Sequence, residues 1–172
     1  FGEDRLRSRW WDPLLADIFV NYEQIPEVDY AGRRSPVSGQ QSSDIQSSGA
    51  EYLIICPDGP DFIRWADTIR QFRTEQGIIT RVVPVSEIGG NSAELIEAYI
   101  NDAYANWDLP PAACLMLGDF GSNSETSLIS NLRNDHPNGN NPYATDNPFA
   151  DVDGDLLPDV VFSRITARNE TE

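Results

Sequence analysis

The sharpest chemical feature of the sequence is Asp151-Val-Asp153-Gly-Asp155-Leu-Leu-Pro-Asp159, four carboxylates within nine residues around one glycine. Packed together, these charges repel one another unless a cation sits among them. Hard oxygen ligands at alternating positions of a turn suit calcium, which takes about six to eight oxygens at about 2.3 to 2.6 Å. The segment is not an EF-hand. Gly154 falls at the fourth position of the loop rather than the sixth, and the twelfth position is Phe162 rather than Glu. The alternative is an acidic turn solvated by water. Magnesium is disfavoured, because nothing nearby suggests a phosphate.

Other reactive residues are sparse. Asp119 follows the apolar run Cys114-Leu-Met-Leu-Gly118, so its carboxylate should emerge at a strand end. There it could bind a metal, accept a phosphoryl group or cap the next helix. Phosphoacceptor chemistry would also draw on Asp58 and a lysine, and the chain contains no lysine. Cys56 and Cys114 both lie inside apolar runs and read as buried structural thiols. The single histidine, His136, stands in a polar loop with no serine or cysteine beside it. Zinc-ligand spacing and a phosphate-cradling glycine loop are both missing from the sequence. Asn169-Glu-Thr171 is a sequon that matters only in a eukaryotic secretory route.

These residues need elements to hold them. Tyr52 to Cys56 is a short apolar run ended by Pro57-Asp58-Gly59, which predicts a buried strand and a turn. Residues 60 to 76 then switch to helical spacing. Phe62, Trp65, Ala66, Ile69 and Phe72 share a face that reads as core rather than as a binding surface, Pro60 suits the first turn and Gly77 the stop. Ile78 to Val85 reads as a second strand, and Ser92 caps a helix carrying Leu95, Ile96, Tyr99, Ile100 and Ala103. Ala112 to Leu117 and Asp159 to Ile165 supply two more strands. This alternation predicts an α/β fold, an open, mainly parallel sheet with helices on both faces. Residues 120 to 150 read as one long structureless loop, a length that is often functional.

The chain divides by composition. Residues 1–34 carry an apolar cluster at Trp10, Trp11, Leu14, Leu15 and Ile18 but are too few to form a core, so they read as a docking arm or the end of a preceding domain. Residues 35–49 are rich in Ser, Gln and Gly and read as a flexible linker. The folded domain spans 50–172. Twenty-eight acidic residues against 12 basic ones, all Arg, give a net charge of −16. Such a surface repels phosphate backbones and disfavours nucleic acid. No apolar run is long enough to span a bilayer. The chain begins at Phe1 with no leader-like pattern, so it reads as processed or as a piece of something longer.

In order along the chain, EYLIICPDG, RTEQGIITRVVPVSEIGG, ELIEAYINDAYANW, PPAACLMLGDF and DVDGDLLPDVVFSRI resemble the opening of the catalytic domain of gingipain-type cysteine peptidases. The resemblance covers about residues 50 to 168. The stretch before residue 35 also looks like the segment such multidomain peptidases carry ahead of that domain. It implies a caspase-like fold, a secreted or cell-surface location, a protein or peptide substrate, and endopeptidase chemistry by a Cys-His dyad. In that family the His sits in a Gly-His-Gly context and the Cys ends the following strand. Both would belong to a downstream half of the enzyme, cleaved or covalently continuous. Cys56, Cys114 and Asp135-His136-Pro137 do not match the dyad's positions. The family also binds calcium in this half, which implies Asp119, Asp151, Asp153, Asp155 and Asp159 as ligands. One departure is Ser163, where the family places Gly before Arg164. The alternative function is a non-catalytic, calcium-stabilised surface interaction module.

Overall fold

A computed structural model describes residues 49–133 and 142–169. The predicted N-terminal arm, the linker up to residue 48 and His136 lie outside the described residues. Strand β1 (Tyr52–Cys56) is followed by helix α1 (Pro60–Glu75), β2 (Thr80–Pro84), α2 (Val85–Ile88), α3 (Ala93–Asn106) and β3 (Ala113–Leu117). After these come β4 (Asp119–Phe120), β5 (Ser127–Leu128), β6 (Asn131–Arg133), β7 (Tyr143–Thr145), α4 (Asn147–Ala150) and β8 (Val161–Ile165). The main sheet has the order β2-β1-β3-β8, and every pairing in it is parallel. The predicted α/β architecture is the observed one. No described helix is long and apolar enough to cross a membrane.

Alternation along the central strands builds two cores. Leu53, Ile55, Cys114 and Met116 point to one face, where Ile96 and Ile100 of α3 and Phe149 of α4 cover them. Ile54, Cys56, Leu115 and Leu117 point to the other, where Phe62 and Ala66 of α1 lie. A sheet covered on both faces needs strands apolar at every position, which the runs YLIIC and ACLML satisfy.

Local chemistry sets the ends of the helices. Pro60 occupies the first turn of α1, and Gly77 at φ 81° closes it. Ile78 N–H donates to Arg73 O and Gly77 N–H to Thr74 O, the paired bonds of a Schellman stop. Ser92 Oγ accepts from Leu95 N–H at 3.3 Å and starts α3.

Several expectations need correction. Trp65 and Phe72 are 48% and 56% exposed rather than core residues. The strip of α1 that meets the sheet runs through Phe62 and Ala66, and the helical turn carries both aromatics to one side of it. Leu95, on the predicted face of α3, is likewise exposed. The second strand stops at Pro84, and Val85 opens α2 instead. The last strand begins at Val161, two residues later than predicted. The stretch after Phe120 is not structureless in its described parts, since Leu128 and Phe149 bury fully and anchor short strands and a helix.

Candidate functional site

In an open parallel sheet the carboxyl ends of the strands form the natural rim for ligands. Asp58 and Asp119 both emerge there, and both are engaged. Asp58 Oδ1 accepts from Ser86 N–H at 3.0 Å, bracing the β1–α1 turn against α2. Asp119 accepts from Arg168 Nε and from Phe120 N–H, and these hydrogen bonds hold its carboxyl below the ordinary range. Arg168 is largely exposed, so this pair adds little to stability.

The acidic loop joins α4 to β8. Asp151 is the C-terminal cap of α4, and Asp159 lies two residues before β8. The loop is braced by its own carboxylates. Asp151 Oδ1 accepts from Gly154 N–H at 2.8 Å and its Oδ2 from Leu156 N–H at 3.1 Å. Asp159 Oδ2 accepts from Val152 N–H at 2.8 Å. Asp153 and Asp155 each accept, through Oδ1, from the amide two residues ahead. Gly154 at φ 80° makes the bend, and Leu156 takes a positive φ of 74°.

Asp151, Asp153 and Asp159 each present one oxygen such that all three lie within 4.8 Å of one another. Three hard carboxylate oxygens converging from one loop fit calcium, with backbone carbonyls and water able to complete its shell. Asp155 and Asp119 are not brought into this group. Asp155 instead caps Leu157 N–H, and Asp119 is drawn to Arg168. A predicted set of five thus becomes a geometric set of three.

The residue that sequence reasoning missed is Arg164. Its side chain is only 10% exposed. Nε and Nη2 grip both carboxylate oxygens of Asp146, at 2.7 and 2.8 Å. Nη1 donates to Gly118 O and Leu128 O, and Nη2 to Ile129 O and Ser130 Oγ. One guanidinium fork therefore ties β8 to the β3–β4 turn, the β5–β6 segment and the cap of α4. Asn91 performs a smaller version, donating to Gly121 O and Ser127 O and accepting from Ile129 N–H. The only sequence signal for Arg164 was its place beside the Gly-to-Ser departure. Ser163 itself is exposed on the edge strand, so that departure disturbs nothing inside.

Both described thiols are free and buried. Burial, reinforced by the charges of Asp58 and Asp67, pushes the Cys56 thiol up to about 12. Burial raises Cys114 further. Neither is poised as a nucleophile.

Residues 45–172 match the model of peptidase family C25. The chain belongs to that family. The C25 family is that of the gingipain-type cysteine peptidases, so the resemblance read from the motifs holds. A solved structure of a protease is similar in fold, with a TM-score of 0.51 at 18% identity over 69% of this chain. The chain spans 25% of that protease's length. No curated protein matches it.

Within this C25 domain the Arg164–Asp146 pair also carries a pH dependence. Burial alone pushes the Asp146 carboxyl up, but hydrogen bonds from Arg164 and Ser130 and the Arg164 charge more than offset it. The carboxyl therefore lies below its ordinary value of 3.8. A depressed folded value means stability is fully present above the unfolded value and lost as pH falls through the folded one. Urea unfolding between pH 7 and pH 3 should show Asp146→Asn less stable than wild type at neutral pH and less sensitive to acid. Parallel acid profiles for the two proteins would contradict this.

Proposed function

We propose that this chain supplies the sheet scaffold and a calcium site of a secreted or cell-surface gingipain-type cysteine endopeptidase. Its substrates are proteins or peptides, and its Cys-His dyad lies in the downstream part of the enzyme. The observation that carries this reading is membership of family C25 across the folded domain, combined with two thiols that burial holds protonated. A nucleophilic cysteine needs thiolate character and access, and Cys56 and Cys114 have neither.

The described elements divide the work in this scheme. The parallel sheet fixes the rim. Asp151, Asp153 and Asp159 would hold calcium and lock the loop between α4 and β8. Bound there, calcium supplies fixed positive charge that offsets the mutual repulsion of the three carboxylates. Its availability outside cells, and the modest affinity typical of extracellular calcium modules, agree with a secreted protein. Among the described residues strand β8 is an edge of the sheet, with Val161 and Ile165 40% and 46% exposed. Beside it, Phe62, Trp65, Ile69, Leu117 and Ile165 line an apolar cleft of 270 Å³. An open strand edge with an adjoining apolar cleft suits the remainder of the catalytic domain as its cover.

Peptide turnover tests the division of labour. The 172-residue chain, incubated with a broad peptide mixture and calcium, should cleave nothing. Cleavage that disappears in Cys56→Ala or Cys114→Ala would place the nucleophile within these residues and overturn the reading.

A further inference from the structure

The acidic loop and the Arg164 fork share the same two elements. Asp151 ends α4 and Asp146 begins it. Asp159 leads into β8, and Arg164 lies within it. Ala150 O accepts from both Asp159 N–H and Val160 N–H, at 2.8 and 3.2 Å, pinching the loop shut at its base. Phe149 stacks against Phe162 with ring centroids 5.8 Å apart, so α4 and β8 also meet through their side chains. A cation drawing Asp151 toward Asp159 pulls on one end of this paired unit. The other end is the bidentate Arg164–Asp146 pair, whose remaining donors hold Gly118, Leu128, Ile129 and Ser130.

We propose that Arg164 and Asp146 are positioning residues that couple calcium occupancy of the acidic loop to the order of the carboxyl-end rim, residues 118–130. The inference rests on the calcium reading given above and adds its consequence for the rest of the site. Neither residue is a ligand. Occupancy stiffens the loop, the loop fixes α4 against β8, and the fork carries that constraint to three backbone carbonyls and a hydroxyl. By linkage, whatever loosens the fork must weaken calcium binding by the same factor.

Hydrogen exchange of the 172-residue chain, in chelator and at calcium concentrations that calorimetry shows to be saturating, tests this. Calcium should slow exchange across residues 118–130 by about fivefold or more, in addition to the protection of residues 150–161. In Asp146→Asn calcium should still bind, with an affinity about fivefold weaker, and protection should remain at 150–161 but vanish at 118–130. Ser130→Ala, which removes one shared hydroxyl and spares the ion pair, should show the same loss in part. It serves as the variant if Asp146→Asn does not fold. Protection confined to 150–161 in wild type, or an unchanged calcium affinity in the variants, overturns the coupling while leaving the calcium site in place. No binding heat in wild type removes both.

Discussion

Replacing Arg164 with Met should cost about 3 kcal/mol of folding free energy, measured by urea unfolding at neutral pH. The substitution preserves the apolar stem but leaves the Asp146 carboxylate, only 21% exposed, without its cation. It also strips hydrogen bonds from Gly118 O, Leu128 O and Ile129 O at once. Breaking a fully dry pair costs about 3 to 5 kcal/mol, and the residual exposure here favours the low end. Against a total stability of about 5 to 15 kcal/mol, that loss is severe. Arg164→Lys should recover only part of it, because an ammonium cannot reproduce the planar fork that reaches two carboxylate oxygens and three carbonyls. A loss below about 1 kcal/mol for Arg164→Met would mean that the rim segments are held by other contacts.

The second large effect concerns the thiols. Raising Cys56 from 9.0 to about 12 lowers its thiolate fraction at neutral pH by about a thousandfold, and Cys114 is more deeply protected still. Alkylation by iodoacetamide at pH 7.5 should therefore be slower than that of a free cysteine by about three orders of magnitude. It should accelerate in urea in step with unfolding, because the thiols become reachable only when the sheet opens. Mass spectrometry of timed digests separates the two sites, which lie on opposite faces of the sheet. A native-state reaction at the free-cysteine rate at either position would contradict the burial and reopen that cysteine as a nucleophile.

The sequence displays some of this architecture plainly, and the reasons are local. YLIIC and ACLML are apolar at every position, and only strands covered on both faces require that. Pro60, Gly77 and Ser92 mark helix ends through backbone chemistry that acts within a few residues. The acidic loop is legible for the same reason, since its brace and its carboxylate group form within residues 151–159. Trp65 and Phe72 misled because a helical wheel reports which residues share a side, not how wide a surface that side meets. Resemblance places Asp119 with the loop and nearness in sequence places Asp155 there, and neither fixes where a carboxylate turns. The Arg164 fork has no local trace beyond the neighbouring departure at Ser163. Its partners come from residues 118, 128–130 and 146, and no spacing pattern spans such distances.

Calcium binding to this chain is the most direct test of the reading as a calcium-clamped scaffold of a C25 peptidase. Isothermal titration of the wild-type chain should show one site, with a midpoint of thermal unfolding that climbs as calcium is added. At about a hundred times Kd the gain is about 2.7 kcal/mol. In Asp159→Asn that gain should largely disappear, while stability in chelator stays level or rises, because one of three crowded charges has gone. No heat and no change in midpoint at millimolar calcium, with wild type and variant indistinguishable, would contradict the account.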